Sequence, residues 1–499
     1  MENELPRSPA RRDGELTLVR RVSCPPSLWL TGGLVRLWWI KKLLIFFTAL
    51  LIILTPLAES RASLLSPEEE TELGEGFLTR IKSRYEFADY PYIVQYINNL
   101  GNFIGRQIEV PYFPLHFYVI KDTSINAFAA PAGHVFFFSG LIRIMDNVDE
   151  LASVLAHELG HVSARHLAVR IERSKKIGMA TMAAILAGVL IGGEATGALM
   201  TGSIAAGVQA ELGYSRNDER QADQLGFKYT HMSSFNTQGM ITTLKKIQRE
   251  NWYGGQNIPP YLLTHPGAPE RMANIETMAR EYTKIPDSDT TKELRSSFPI
   301  FHTMVEALCD DKENAAREFK KRLGVDPESI LAHYGLGLVL ERDGKIHEAL
   351  NHFKIALLGK KNSIPIMFSM AKAYQTAGQY EKSVSILQKA LQLSPKDKEI
   401  LYLLALSFQD LEQYGQASRI YERLTFLPPV KDMVYYNLGL VYGRQDKLAM
   451  AHYNLGIYFS KLRRKEKALF HFKKAQELSE SEPALKEKIN KALMGLHNH

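Results

Sequence analysis

Leu151-Ala152-Ser153-Val154-Leu155-Ala156-His157-Glu158-Leu159-Gly160-His161 is a run of helix formers, unbroken as far as Gly160, that ends on two histidines four residues apart. A helix is its natural setting. Residues four apart share one helical face, so His157 and His161 can aim both imidazoles at a single zinc ion while Glu158 sits alongside. Such an ion lowers the pKa of a bound water to about 7, and Glu158 is the candidate general base that takes its proton. A chance match is the competing reading. It is weakened because both histidines and the acid fall on one predicted helix behind an apolar face.

A catalytic zinc with two histidine ligands needs a third protein ligand and keeps one position open for water and substrate. Glu219-Arg220-Gln221-Ala222-Asp223 supplies a candidate, because positions 219, 222, 223, 226 and 227 would share a helical face. Glu219 is expected on the metal. Asp223, one turn on, is placed to accept the second imidazole hydrogen of a ligand histidine and so fix its tautomer. Read alone, this segment is simply a charged helix face. His265 stands where Pro259, Pro260, Pro266 and Gly267 mark a loop. Three roles are open for it: stabilising the oxyanion of a tetrahedral intermediate, occupying the open metal position when no substrate is bound, or bonding in a structural turn.

Gly133 to Ser139 is aromatic, begins at a Pro-x-Gly turn and ends at Gly140, so it reads as a strand. Both a buried core strand and an exposed edge that holds an extended peptide by backbone bonds fit this pattern. Ile177 to Gly193 and a second stretch reaching Val208 are apolar and rich in Ala and Gly. They read as a helical hairpin or mobile segment covering the cleft, with a peripheral membrane contact through 177–208 left open.

The second half repeats. Gly337, Ala371, Ala405 and Gly439 recur every 34 residues, as do Ala349, Ser383 and Ala417. This is the tetratricopeptide period, in which each helical pair completes its apolar face with the next. Tyr436-Asn-Leu-Gly439 is echoed at Tyr453-Asn-Leu-Gly456 after 17 residues, half the period, which predicts one helix serving two pairs. Asp311 to Leu323 resembles the second helix of an earlier degenerate unit, giving about four repeats and a helical cap. Such arrays bind peptides and proteins without revealing which. The basic cluster from Lys461 to Lys467 reads as a solvated face, an acidic partner being the alternative.

At 499 residues the chain is too long for one ordinary domain. Its hydrophobic fraction of 45% and charged fraction of 23% exclude wholesale disorder and a polytopic membrane protein. Of the formal charge of +7, residues 1–62 supply +4, from nine Lys/Arg against five Asp/Glu. The remaining +3 is too diffuse for nucleic-acid binding. Lys41 and Lys42 precede the apolar run Leu43 to Thr55, followed by Pro56 and Ser60-Arg61-Ala62, the order of an export signal cleaved after Ala62. An uncleaved anchor is the alternative, and a start near Val35 would make residues 1–34 an over-extended leader. Arg20 and Arg21 before Cys24 speak against a lipoprotein, and Cys309 lies in an apolar helical pattern, so neither cysteine is expected to be catalytic.

Taken together these segments resemble the HtpX/Ste-type zinc metallopeptidases, and in particular their periplasmic group that carries tetratricopeptide repeats and serves outer-membrane β-barrel assembly. Besides the two motifs, the likeness is carried by Ile125-Asn-Ala-Phe-Ala-Ala-Pro-Ala-Gly-His-Val-Phe-Phe-Phe-Ser-Gly-Leu141, by Tyr214-Ser215-Arg216 and by Thr264-His265-Pro266 with Arg271. The resemblance implies His157, His161 and Glu219 as ligands of one zinc per chain, Glu158 as catalyst, Asp223 in support and His265 near the metal. Ala132 stands where the family tends to have glycine and Gln221 where it often has glutamate. The first stiffens the loop before His134 and bears on substrate access, not chemistry.

The expected architecture is mainly α with a small β-sheet: a zincin-type, gluzincin-like metalloprotease domain followed by a tetratricopeptide-repeat α-solenoid. Its expected divisions are a signal peptide at 1–62, the peptidase at 63–285, connecting helices or a degenerate repeat at 286–326, repeats at 327–480 and a helical cap at 481–499. The resemblance implies a periplasmic endopeptidase of envelope quality control. It would degrade unfolded or misassembled outer-membrane proteins, with the repeats engaging their assembly machinery. The alternative is a repeat-based chaperone or scaffold whose metal site is regulatory or little used.

Overall fold

The computed structural model describes residues 65–173, 215–253, 259–283, 285–480 and 482–497. The readings of the export signal, its cleavage after Ala62, the start near Val35, Cys24 and the apolar stretch 177–208 lie outside these residues. Among the described residues no helix is long and apolar enough to cross a membrane.

Helix α1 (Pro67–Arg84) begins on a capping box, with Ser66 and Glu69 each satisfying the other's backbone N–H. Helix α2 (Pro91–Gly105) buries Ile93, Ile97, Leu100 and Ile104 at helical spacing. Three strands follow: β1 (His116–Ile120), β2 (Ala127–Ala130) and β3 (His134–Phe138). The sheet order is β1-β3-β2, with β1 parallel and β2 antiparallel to β3. The edge reading of residues 133–139 is therefore overturned, because β3 has a bonded strand on each side and every one of its residues is buried. An unbroken apolar run is what a strand covered on both faces requires. The edge strand beside the catalytic-motif helix is instead β2. Between β2 and β3 the chain turns through Ala132, which takes the left-handed conformation at φ 61° and ψ 31°. An L-residue pays about 1–2 kcal/mol there, so Ala132 holds a strained turn where glycine would be free.

The short α3 (Ser139–Arg143) leads to α4 (Val148–Ser163), which Asn147 caps by accepting from the Glu150 N–H. Then come α5 (His166–Arg173), α6 (Arg216–Met232), α7 (Gly239–Tyr253), α8 (Pro260–Thr264), α9 (Ala268–Glu281) and α10 (Asp289–Cys309). Helices α4 and α6 cross at unusually close range. A Cβ on Gly160 would lie 2.7 Å from the Ala222 carbonyl oxygen, and one on Gly226 would lie 2.9 Å from the His157 backbone. Two glycines thus let the faces bearing the two motifs meet.

The second half is a series of antiparallel helices: α11 (Lys312–Val325), α12 (Ile330–Arg342), α13 (Ile346–Gly359), α14 (Ile364–Thr376), α15 (Tyr380–Leu393), α16 (Lys398–Asp410), α17 (Tyr414–Thr425), α18 (Asp432–Arg444), α19 (Leu448–Lys461), α20 (Lys465–Leu478) and α21 (Pro483–His497). The repeating small residues Gly337, Ala371, Ala405 and Gly439 are buried on the first helix of each pair. The half-period echo has a structural basis. Gly439 of α18 lies against Leu455 of α19, and Gly456 of α19 lies against Phe472 of α20, so α19 closes one pair and opens the next.

A single hydrophobic core runs from Ile93 and Tyr96 through Phe298, Phe301 and Met304 of α10 to Tyr334, Phe353 and Tyr374 of the array. Tyr96 stacks on Phe301 at 4.2 Å between ring centres. Tyr92 meets the Phe368 ring edge-on at 5.2 Å, and its hydroxyl donates to Asp397 Oδ2 at 3.3 Å. Cys309 is buried in this core, which pushes its thiol up to about 12 and keeps it out of thiolate chemistry.

Candidate metal centre

Helix α4 presents His157 and His161 one turn apart, and α6 presents Glu219 and Asp223 one turn apart, across the close crossing just described. His157 Nε2 and His161 Nε2 lie 3.1 Å apart, with Glu219 Oε2 3.5 Å from the first and Oε1 3.3 Å from the second. His265, the residue that closes α8, completes the group. Its Nδ1 stands 3.0 Å from Glu219 Oε1 and 3.4 Å from His157 Nε2. All four candidate donor atoms lie within 4.8 Å of one another, on buried side chains.

These separations suit a tetrahedral ion with N and O ligands at about 2.0–2.2 Å, whose donors would stand roughly 3.3–3.6 Å apart. The donor chemistry, three imidazoles and one carboxylate, also suits zinc. Glu158 is fully buried beside the cage, and neither of its carboxylate oxygens has a hydrogen-bond partner among the described residues. His265 Nε2 lies 3.5 Å from Glu158 Oε1. A buried carboxylate with no donor is costly, so it belongs where a water or substrate proton is to be met.

Around the cage the imidazoles are held by unlike partners. His157 turns its Nδ1 to Asp223 Oδ1 at 3.0 Å. Arg271 then grips Asp223 with two nitrogens, Nε at 2.9 Å and Nη2 at 2.8 Å, and reaches Glu219 Oε2 with Nη1 at 2.8 Å. Burial would raise Asp223, but the Arg271 guanidinium and His157 hold it down to about 2. Burial and Arg271 act to lower His157, and Asp223 and Glu219 outweigh them to bring it up to about 9. Burial leaves His161 well below the ordinary imidazole range despite Glu219. The His161 Nδ1 faces His166 Nδ1 at 2.9 Å, and His166 Nε2 faces Gln221 Oε1 at 3.0 Å. Tyr261 stacks on the His265 ring at 4.5 Å.

The structure therefore brings together His157, Glu158, His161, Glu219, Asp223 and His265. A plain structural turn does not describe His265, whose ring lies inside the cage. The part played by Arg271 was missed, since its number says nothing of its nearness to α4 and α6. His166 was missed for a geometric reason. Five residues on from His161, it would face away on a continuous helix, but Arg165 breaks the helix at φ 52° and folds His166 back. Gln221 meets His166, and only through it His161.

Comparison with known proteins agrees with this geometry. Residues 94–279 match the model of peptidase family M48, and residues 374–429 and 449–482 match tetratricopeptide-repeat models. The chain carries an M48 peptidase domain followed by tetratricopeptide repeats. It is 30% identical over 304 residues to the beta-barrel assembly-enhancing protease of Yersinia pestis, covering 60% of this chain and 62% of that one. It is 32% identical over 231 residues to the protein of that name from Escherichia coli K12, covering 46% and 47%. To the mitochondrial metalloendopeptidase OMA1 of Schizosaccharomyces pombe it is 29% identical over 159 residues, covering 32% and 45%. The chain thus spans about half to three fifths of the length of these relatives.

Proposed function

We propose that the chain is a periplasmic zinc endopeptidase of envelope protein quality control, which degrades misfolded outer-membrane proteins and assists their assembly. The observation that carries the activity is the buried four-donor cage with the buried Glu158 carboxylate beside it, which makes no hydrogen bond among the described residues. Its place in the envelope is supported by the export-like leader and by the relatives named for β-barrel assembly.

In this reading His157, His161 and Glu219 hold the ion. Zinc so held would supply Lewis acidity and would lower the pKa of a water there to about 7. Glu158 takes the proton of the attacking water and passes it to the leaving amine nitrogen. Asp223 fixes the His157 tautomer, while Arg271 offsets the charge of both acids. An extended substrate joins the outer edge of β2, where backbone bonds recognise an unfolded chain without regard to its sequence. Two roles fit His265, whose Nδ1 stands 3.4 Å from His157 Nε2 and whose Nε2 stands 3.5 Å from Glu158 Oε1: it would close the site at rest, or it would donate to the oxyanion of the tetrahedral intermediate. The repeats engage the assembly machinery and bring its clients near the cleft.

Zinc content and hydrolysis of an unfolded outer-membrane protein test this. Glu158→Gln keeps one zinc per chain and loses at least about a hundredfold in rate, while His157→Ala loses both. Wild-type turnover by Glu158→Gln would refute the mechanism. His265→Ala separates the two remaining roles of that residue. Faster hydrolysis of a short peptide marks it as the resting cap, and slower hydrolysis with zinc retained marks it as an oxyanion donor.

A further inference from the structure

His161 reaches the cage through Nε2, 3.3 Å from Glu219 Oε1, and turns its other nitrogen to His166. The hydrogen positions follow in sequence. A metal-ligating nitrogen must be a bare lone pair, so His161 carries its hydrogen on Nδ1. That hydrogen points at His166 Nδ1, 2.9 Å away, which must then be an acceptor. Neutral His166 therefore carries its own hydrogen on Nε2 and donates it to Gln221 Oε1 at 3.0 Å. Were His166 protonated on Nδ1 instead, two N–H groups would meet, or His161 would show a hydrogen to the ion.

We propose that His166 is a positioning residue of the metal centre, fixing His161 in the tautomer and ring orientation that present Nε2 to zinc. The proposal rests on reading the cage as a zinc site. Two features show that the fold maintains this link. His166 is only 5% exposed, so water is poorly placed to substitute for it. Arg170, one turn further along α5, donates to Asp218 Oδ2 through Nη2 at 2.5 Å and Nε at 3.2 Å. Together, Arg170–Asp218 and His166–Gln221 fasten α5 to the first two turns of α6, beside Glu219. Gln221 is exposed, and water can take its place. The two ligand histidines are thus oriented by different chemistry, His157 by a carboxylate and His161 by a neutral imidazole.

The test uses the full chain, with zinc affinity from chelator competition, the absorption spectrum of the cobalt-substituted protein, and thermal unfolding of the metal-free protein. His166→Leu fills the same space without an acceptor. It is expected to weaken zinc by about 10–100-fold and to change the cobalt spectrum, with metal-free unfolding unchanged. His166→Asn puts an oxygen where Nδ1 stood and is expected to recover most of the affinity and the spectrum. Gln221→Leu is expected to cost far less than His166→Leu. Zinc binding by His166→Leu at wild-type strength would overturn the proposal. So would equal losses in the Leu and Asn variants, since only volume would then matter. Stoichiometric zinc in His161→Ala would instead overturn the reading of the cage itself, which keeps the two failures distinguishable.

Discussion

The metal cage and the helical array both bury polar groups, and they do so in opposite ways. In the cage His157, Glu158, His161, Glu219, Asp223, His265 and Arg271 are each 4% exposed or less, so charges and imidazoles crowd a space shielded from bulk solvent. In the array the most deeply buried polar contacts include neutral pairs. Tyr334 Oη meets Ser369 at 3.2 Å, the Ser383 and Ser407 hydroxyls meet at 3.0 Å, and Asn437 Nδ2 donates to Tyr402 Oη at 3.0 Å. A neutral pair costs little to bury and contributes little, whereas a buried charge is tolerable only while its partner is present. Reactivity is concentrated in the first arrangement, and the second extends a surface by repetition.

The largest expected effect comes from separating the two regions. Deleting Pro327 to His499 leaves every cage residue in place but strips Tyr334, Phe353 and Tyr374 from the shared core. Losing one large aromatic from a core costs about 3–5 kcal/mol, against a total stability of about 5–15 kcal/mol. The truncated chain is therefore expected to lose cooperative unfolding and bound zinc together. Calorimetry with metal analysis checks this, and a truncation that unfolds at the wild-type temperature would show the array to be an appendage. A test of recruitment by the repeats consequently needs surface substitutions, since deletion removes part of the peptidase core.

Next in size is Arg271→Met, which leaves Glu219 and Asp223 buried without their guanidinium. Breaking such a group costs about 3–5 kcal/mol, and urea unfolding under chelator is expected to show it. Adding zinc should restore part of the loss, since the ion takes over the charge of Glu219. The variant should also lose acid-side stabilisation. With Asp223 held down to about 2, its contribution is fully present above the ordinary value of about 3.9 and fades as pH falls toward 2. A variant as stable as wild type, with the same acid limb, would break the contrast between charged and neutral burial.

The smallest effect is expected from Ser383→Ala, which removes one neutral partner from the array. Its cost should be about 1 kcal/mol or less, with zinc affinity unchanged. A loss as large as that of Arg271→Met would show that the array depends on its polar pairs as heavily as the cage does.

By itself the sequence determined the helices and their facing residues. His157 and His161 share a face because backbone hydrogen bonding sets the helical turn, and the same rule aligned Glu219 with Asp223. The 34-residue period is equally local, since each small residue at Gly337, Ala371, Ala405 and Gly439 marks where one helix must approach the next. What only the tertiary structure decided lies in pairings that no periodicity encodes. Arg271 meets His157 across 114 residues, and His265 meets Glu219 across 46. His166 returns to His161 through one left-handed residue, and β3 lies between two strands because the chain crosses before β2 is laid down. Local spacing is fixed by the geometry of one helix, but which helices touch is fixed by how all their apolar faces are buried at once.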